Sequence, residues 1–459
     1  MIRRKPKKNK WEKKTVPNRN LAPKDGKAAP TIQIKLTKEF KHAFDQIENT
    51  NHHIFLTGRA GTGKSTLLKY FRAKTKKRFI VLAPTGVAAL NVKGQTIHSF
   101  FGFHPKITKR LVRKAQADKL KAFKELETIV IDEISMVRAD LLDCMDRALR
   151  LNREKPHEPF GGVQMIFIGD LYQLPPVVTR EEGDRFQTEY PSPYFFSAEC
   201  MVLTPIEIIE LEFVHRQKDP KFVALLNAIR SGSITAEQAE QWDGCHDPFF
   251  DPTDESEQIV HLTTTNKAAD ARNAHELNKL ESTEHTLKAS KQGELPNRKM
   301  PSDPSIKVKE GARIMFTVND PAKRWVNGSL GVIKKIQTSG LSKAPVLSVE
   351  LDTGERVEVG KHTWEVFDYQ YNGARFAEAV LGSYSQYPIS LAWAVTIHKA
   401  QGKTFDQVLV DMGWGAFAHG QLYVALSRCT TMKGIKLLKP FRMKDVIVDQ
   451  AVLDFMKNE

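Results

Sequence analysis

The sequence predicts an α/β fold class: two parallel-sheet domains, the first carrying a phosphate-binding loop, the second interrupted by a small β-rich insertion. Three observations carry this reading. From about residue 36 to 200, short apolar runs alternate with helical patterns, as strands and crossover helices of a parallel sheet do. Gly58-Arg59-Ala60-Gly61-Thr62-Gly63-Lys64-Ser65 matches G-x-x-x-x-G-K-[ST] directly after one of those runs. From Ile389 an α/β pattern resumes, with Val408-Leu409-Val410 as a strand, after a stretch of short strands and tight turns.

The elements follow in order. Residues 1–30 hold eleven Lys and Arg against Glu12 and Asp25, so they supply much of the chain's net +15, and Pro6, Pro17, Pro23 and Pro30 break any regular element there. Such a segment reads as a disordered basic tail. It suits a grip on nucleic acid or a role in solubility, and an organelle-targeting role stays open; it lacks the apolar core of a secretory signal. Residues 31–200 form the first domain, with buried strands at 54–56, 79–82, 128–131 and 163–168 that run continuously apolar, as parallel strands covered on both faces do. Between 106 and 124 the alternation is interrupted by Lys106, Lys109, Arg110, Arg113, Lys114, Lys119, Lys121 and Lys124 against Asp118 alone, a basic helical insertion. Residues 201–459 form the second domain. Within it, 307–375 reads as a small barrel or sheet, with strands at 312–318, 331–336, 346–351 and 357–359 and turns at Asn327-Gly328 and Asp352-Thr353-Gly354.

Composition excludes other classes. At 459 residues, with 41% hydrophobic and 27% charged, the chain can bury sizeable cores. No apolar run approaches the ~18 residues that cross a bilayer. Cys144, Cys200, Cys245 and Cys429 lie far apart without a C-x-x-C pair, which argues against a disulfide scaffold or a zinc site and fits a reducing compartment. The expectation is a protein of the cytoplasm, or of a nucleus or organelle, and not a secreted one.

The chemistry begins at the glycine-rich loop. Glycines at 58, 61 and 63, with Ala60 and Thr62 between them, let backbone N–H groups face phosphate oxygens; Lys64 reaches the β- and γ-phosphates, Ser65 holds Mg²⁺, and Thr66 follows in the first helical turn. Ile129-Val130-Ile131 delivers Asp132 and Glu133 at a strand's C-terminal end, where open α/β sheets bind ligands. Asp132 suits the Mg²⁺ shell and Glu133 the attacking water. Taken alone, such a pair is an ordinary polar strand end; the loop upstream changes that. Gln173, in Gly169-Asp170-Leu171-Tyr172-Gln173-Leu174-Pro175-Pro176, can bond both a γ-phosphate and a lytic water. Arg216 and Arg428 are candidates to close on the γ-phosphate from the second domain. Residues 390–405 bring Thr396, His398 and Lys399 close to Gly402-Lys403-Thr404, offering nucleic-acid contacts and a phosphate-facing glycine in one segment.

Jointly these motifs resemble the Pif-type DNA helicases of superfamily 1B, relatives of the RecD helicases, over about residues 33–440. The resemblance rests on GRAGTGKST (58–66), APTGVAALNVKGQTIHSFFGF (83–103), IDEISMV (131–137), GDLYQLPPV (169–177), EFVHRQ (212–217), LTTTNKAADARN (262–273), TIHKAQGKTF (396–405) and QLYVALSRC (421–429). Residues 140–162, with Asp143, Arg147, Leu149 and Arg150, resemble the family's signature insert. The resemblance implies two RecA-like domains with ATP between them, a wedge at 104–125 and a Src-homology-3-like barrel at 307–375. It implies that Pro84, Thr85, His98, Thr264, Asn266, Thr396 and His398 contact single-stranded DNA, that Arg216 and Arg428 are arginine fingers, that Gly402 and Lys403 join the nucleotide site, and that movement is 5′-to-3′. The implied partners are single-stranded DNA and duplex or structured DNA with an overhang, met by a protein monomeric in solution. One departure stands in the segment that resembles the family's adenine reader, 36–50: Phe40 and Lys41 follow Glu39 where the family carries Gln. Phe40 stacking on the base and Gln46 reaching it are the two substitutes. Phe100, Phe101 and Phe103 read as core, or as base-stacking residues. Alternatives from other classes are a P-loop kinase or GTPase, a nucleic-acid-binding protein with structural ATP, and a translocase or protein displacer without strong unwinding.

Overall fold

The computed structural model describes residues 37–202, 204–213, 216–217, 219–250, 259–293, 295, 300–337 and 344–457; the basic tail of residues 1–30 lies outside them. The first domain is a six-stranded, all-parallel sheet. Its strands are β1 (His53–Gly58), β2 (Phe79–Ala83), β3 (Gln95–Thr96), β4 (Thr128–Asp132), β5 (Gln164–Ile168) and β6 (Ile206–Leu211), in the order β3-β2-β4-β5-β1-β6. Helices α1 (Lys38–Asn49), α2 (Lys64–Lys74), α3 (Gly86–Asn91), α4 (Ile97–Phe101), α5 (Ala117–Glu125), α6 (Ala139–Arg153) and α7 (Arg180–Glu189) complete it. In α1 the buried positions are Phe40, Ala43 and Ile47, one apolar stripe at helical spacing. Phe40 packs edge-on against Tyr70 at 5.6 Å and is buried, so it is a core residue and not a base-stacking one.

The first sheet runs past the expected boundary at 200. In β6 the isoleucines 206, 208 and 209 are interrupted by Glu207 and Glu210, a half-buried edge pattern, and the strand pairs in parallel along all of β1. Phe100 is buried in this domain's core; Phe101 and Phe103 stack on each other at 5.1 Å against its edge. All three therefore pack as core residues.

The expected wedge, 104–125, is a single 3₁₀ turn at Lys109–Leu111 followed by α5. Much of its positive charge is tied down. Lys109 pairs with Glu199 and lies 3.6 Å from Asp143, while Lys114 and Lys124 both reach Glu154, at 2.8 and 2.9 Å. Exposed pairs of this kind contribute little stability, but they orient the segment on α6. The Asp143 carboxylate is buried and accepts from Tyr190 Oη at 2.8 Å and Cys200 N at 2.9 Å, and Asp146 accepts from Arg150 and Phe160 N. The signature-like insert is thus the platform beneath the wedge.

The second domain begins with α8 (Pro220–Ser231), α9 (Ala236–Asp243), β7 (Val260–Thr263) and α10 (Asn266–Lys279). Then comes the insertion: β8 (His285–Lys288), β9 (Ser290–Gly293), β10 (Ser305–Val308), β11 (Arg313–Phe316), β12 (Leu330–Gln337), β13 (Val346–Leu351), β14 (Arg356–Val359), β15 (His362–Tyr371), β16 (Phe376–Gln386) and β17 (Ile389–Leu391). Strands β14-β13-β12-β11-β17 form an antiparallel sheet over its own core, in which Phe316 stacks on Trp325 at 4.3 Å. The expected end at 375 falls inside the turn of the hairpin β15–β16, which pairs with β9 and reaches the first domain: Val81 N donates to Tyr369 Oη (3.3 Å) and Gln95 Nε2 to Asp368 Oδ1 (3.0 Å). The α/β pattern then resumes with β18 (Ala394–Thr396), α11 (Ile397–Ala400), β19 (Val408–Asp411), α12 (Gln421–Leu426) and β20 (Ile435–Leu437), giving a parallel sheet of order β18-β7-β19-β20.

Two segments stitch the halves together. The last helix, α13 (Gln450–Lys457), returns to the first core, with Phe455 stacked on Phe196 at 4.3 Å. Conversely Leu174, from the loop after β5, is buried in the second core among Leu422, Val424 and Leu426. Leu174→Ala empties that contact and is expected to cost roughly 2 to 5 kcal/mol, read as a lower denaturation midpoint.

Candidate active site

The glycine-rich loop joins β1 to α2, and its shape is dictated by what surrounds it. Gly61 has φ +85°, and a Cβ there would come within 2.6 Å of Arg216 Cβ. Only glycine lets the loop and the Arg216 segment lie this close. Thr62 Oγ1 closes the loop on the Arg59 carbonyl at 3.0 Å, and Ala60 N donates to Tyr423 Oη at 3.3 Å across the domain boundary. Lys64 Nζ bonds the Gly58 and Arg59 carbonyls. Burial lowers its pKa, opposed by Asp170, Glu133 and Asp132 around it. Ser65 and Thr66 are exposed in the first turn of α2.

Asp132 ends β4, and Glu133 follows in a left-handed conformation (φ 53°) that costs of order 1 kcal/mol in a non-glycine residue. Burial and then the neighbouring Glu133 push Asp132 up to about 7; burial also raises Glu133, opposed by Lys64 and Arg428. Gln173 is buried, donates to Asp170 Oδ2 at 3.1 Å and accepts from Gln401 Nε2 at 3.2 Å; the same Gln401 amide lies 3.2 Å from Glu133 Oε2. Gln401 therefore joins the two polar groups of the first domain from the second.

Both arginines reach this cleft. Arg216 is held at the loop and donates to the Ser427 carbonyl at 3.3 Å. Arg428 is 1% exposed, and its hydrogen bonds among the described residues go to the carbonyls of Val424, Ala400 and Lys403 and to Ser427 Oγ. Burial, then the charge of Arg216, lowers its pKa to about 9. Two cations thus face one cleft on neutral partners, an arrangement that favours an arriving anion.

The domain seam lies alongside. Asp170 has a fully buried side chain, and Arg230 approaches it at 3.3 Å while stacking over Tyr172 at 4.1 Å. Gly420 (φ +67°) is obligatory, because a Cβ there would lie 2.3 Å from the Tyr172 carbonyl. His419 Nδ1 accepts from Asp449 N at 2.8 Å, so Nε2–H is the donor to the Leu171 carbonyl at 2.7 Å; the ring is neutral, and burial lowers its pKa. Gln401, Tyr423, Arg230 and Gly420 were invisible to spacing arguments. Gln401 and Tyr423 sit inside motifs the sequence does display, but nothing local marks Arg230.

The expected DNA contacts cluster at C-terminal strand ends. Pro84 and Thr85 join β2 to α3, with Thr85 Oγ1 accepting from Ala88 N; His98 lies on α4, with its pKa lowered by burial. Thr264 follows β7 and Asn266 opens α10, exposed. His398 is exposed on α11. Thr396 is 2% exposed and its hydroxyl accepts from Lys399 N at 3.3 Å, capping α11 as Thr85 caps α3. One expectation needs correction. After Gly402 (φ +79°), the Lys403 side chain packs on Met315 Sδ at 3.7 Å and beside Gly328, under the insertion; its carbonyl, not its ammonium, faces Arg428.

Two RecA-like sheets with a phosphate loop, paired carboxylates and two convergent arginines define a P-loop motor ATPase of the two-domain class. A family model described as PIF1-like helicase matches residues 35–240, and one described as UvrD-like helicase C-terminal domain matches residues 391–432. The ATP-dependent DNA helicase Pif1 of Bdellovibrio bacteriovorus is 31% identical over 438 residues, covering 93% of each chain. Crystal structures of Bacteroides Pif1 are 35% identical and cover 93% of this chain and 97% of theirs; the complex with ADP-AlF4 superposes with a TM-score of 0.84 and that with ADP-AlF3 and ssDNA with 0.67. The chain belongs to the PIF1-like helicase family.

The buried pair at the seam has a pH signature. Burial alone would raise the Asp170 pKa, but Arg230 and Lys64 hold it below its ordinary 3.8 in the folded chain. The folded state therefore binds that proton less readily than the unfolded one, and the pair's contribution is complete above about pH 4 and disappears as pH falls through the folded value. Asp170→Asn should cost up to about 3 kcal/mol at neutral pH, because it leaves the buried Arg230 with Glu210 alone, at 3.4 Å. Its melting temperature should also fall less steeply than the wild type's on acidification below about pH 4, as followed by circular dichroism.

Proposed function

We propose that this chain is an ATP-dependent DNA helicase that moves along single-stranded DNA and separates duplex or structured DNA bearing a single-stranded overhang. The observation that carries the reading is the meeting of Arg216 and Arg428, from the second half, with Lys64, Asp132 and Glu133 of the first. In this reading residues 31–200, extended by β6, form the first motor domain. The remainder forms the second, with the wedge at 104–125 and the β-rich insertion as accessory parts. Gly58, Ala60, Gly61, Thr62, Gly63, Lys64, Ser65 and Thr66 hold the triphosphate of ATP. Glu133 orients and deprotonates water, Gln173 and Gln401 carry the nucleotide's state between domains, and Arg216 and Arg428 neutralise charge developing on the γ-phosphate.

The residues present fit Mg²⁺. Asp132 is a half-buried carboxylate whose pKa is raised to about 7, a state that a divalent cation relieves, and Ser65 offers a hydroxyl from the exposed first turn. No cluster of three or more His, Cys, Asp or Glu suited to a metal occurs among the described residues, which fits an ion completed by phosphate and water. Bound there, Mg²⁺ would lower the charge of the triphosphate.

Anion binding by cations held on neutral partners draws the domains together; loss of phosphate lets them part. Thr85, His98, Thr264, Asn266 and His398, with Pro84 shaping its loop, contact the DNA backbone beside helix N-termini, giving sequence-tolerant, salt-sensitive binding. Stacking resists separation by ~1.4 kcal/mol per base-pair step, within reach of one hydrolysed nucleotide. Movement is 5′-to-3′, the enzyme is a monomer in solution, and its setting is a DNA-containing reducing compartment in replication, repair or recombination. No helix among the described residues is long and apolar enough to cross a membrane.

ATPase assays with and without single-stranded DNA, beside unwinding of duplexes with a 5′ or a 3′ overhang, test this directly. Turnover that ignores DNA favours the kinase or GTPase alternative, and DNA-stimulated turnover without strand separation favours a translocase. Lys64→Ala is expected to abolish hydrolysis and spare single-strand binding; wild-type turnover in it removes the loop's assignment. Arg428→Ala should bind nucleotide yet lose about 10³-fold or more in kcat.

A further inference from the structure

The loop from β19 to α12 presents a feature that neither packing nor the nucleotide cleft accounts for. Trp414 is 99% exposed and Phe417, on the same loop, 63%. The other tryptophans among the described residues are buried or partly so: Trp242, Trp325 and Trp364 are at most 6% exposed, and Trp393 packs against the insertion's core. A tryptophan left wholly in water forfeits the burial that usually justifies so large a ring. Yet its backbone is not a loose tip. Gly413 N donates to Asp411 Oδ1 at 2.8 Å, Gly415 N to the Met412 carbonyl at 2.8 Å and Ala416 N to Asp445 Oδ1 at 3.0 Å. Lys439 Nζ holds the Gly413 carbonyl at 2.7 Å, and Arg442 reaches the Trp414 carbonyl at 3.5 Å. The main chain is pinned by five hydrogen bonds, so the ring is held out.

Its position gives the ring an occupant. Asp411 is paired in parallel register with Thr263, so the Trp414 loop leaves the sheet one strand over from Thr264, at the same edge. A Cβ on Gly413 would lie 3.8 Å from Thr264 Oγ1. Along the order β18-β7-β19-β20, that edge carries His398 after β18, then Thr264 and Asn266 after β7, then Trp414 after β19. Two exposed lysines belong to the segment that holds the loop, Lys439 and Lys444, and Lys439 Nζ sits 5.8 Å from the indole centroid. An aromatic plane in a cationic setting, continuous with backbone-contacting residues, matches how single strands are bound without sequence preference: phosphates by charge, bases by stacking.

We propose that Trp414 is a base-stacking platform that receives an unpaired base where the single strand leaves the Thr264–Asn266 contacts of the second domain. The assignment rests on the reading of this chain as a motor on single-stranded DNA. It makes Trp414 a binding residue for the strand rather than a group of the hydrolytic cleft, so ATP turnover without DNA does not depend on it.

The test uses the full-length protein with oligothymidylate and with an abasic strand of the same length and charge. Stacking is expected to give about tenfold weaker oligothymidylate binding in Trp414→Ala and near-normal binding in Trp414→Phe. Replacing the bases by abasic sites should cost the wild type that same factor and cost Trp414→Ala little more. Tryptophan emission should be quenched by oligothymidylate in the wild type and markedly less in Trp414→Phe, while DNA-free ATPase is equal in all three. Unchanged affinity in Trp414→Ala overturns the proposal, and so does a loss equally large for the abasic strand, which marks the loop as a site for charge or for another protein. Failure of the parent reading looks different: the wild type itself then shows no DNA-stimulated turnover, and the platform falls with it.

Discussion

The arrangement depends on one buried carboxylate. Asp170 has no exposed side-chain surface, and it is tolerated in the interior because Arg230 lies against one oxygen, the Gln173 amide against the other, and Lys64 nearby. Each partner arrives from a different element: the phosphate loop, the turn after β5 and the end of α8. An unpaired charge at this depth is so costly that these elements must stay in register. The nucleotide cleft is assembled as a consequence, with Tyr172 stacked under Arg230 and its carbonyl pressed against Gly420.

That seam explains how hydrolysis in one place is felt in another. Gln173 lies in the cleft while the next residue, Leu174, is embedded in the second domain's core. In the proposed cycle, a change at the γ-phosphate that moved the glutamine would pull on a hydrophobic anchor, and packed interiors respond by shifting as units. Arg216 and Arg428 flank the same cleft from the second half. Arg428 is buried and Arg216 half-buried, both on neutral acceptors; burial lowers both pKa values, and the charge of Arg216 lowers that of Arg428 further.

Strands β1, β2, β4, β5 and β19 of the parallel sheets were legible because each carries a continuous apolar run, and the phosphate loop because its glycines and lysine are contiguous. The strands of the insertion near 313–316, 330–337, 346–351 and 356–359 were legible from alternation and turn residues. The long hairpin 362–386 was not, although Asn372-Gly373 stands at its turn: its residues alternate only partly, and Tyr369 and Phe376 near the turn pack on the first domain's core rather than on their own sheet. The edge strand 206–211 was placed in the wrong half, since glutamates in an isoleucine run do not reveal which sheet it joins. The wedge was legible as a basic insertion from its lysines, but not that Lys109, Lys114 and Lys124 are paired with Glu199 and Glu154.

By itself the sequence determined the chemistry whose parts adjoin in the chain: the loop of 58–65, the Asp132–Glu133 pair and the strand-to-helix turns, because a few consecutive residues suffice to shape a backbone around a phosphate. Tertiary structure decided what depends on meetings across hundreds of positions. Tyr423 reaches Ala60 from 363 residues away, and Gln401 reaches Glu133 from 268. It also decided which polar groups were already committed, spending the Thr396 hydroxyl on a helix cap and burying the Lys403 stem beneath the insertion. The physical reason is that a side chain's role is set by which partners satisfy it, and those partners come from whichever element the folded core brings alongside.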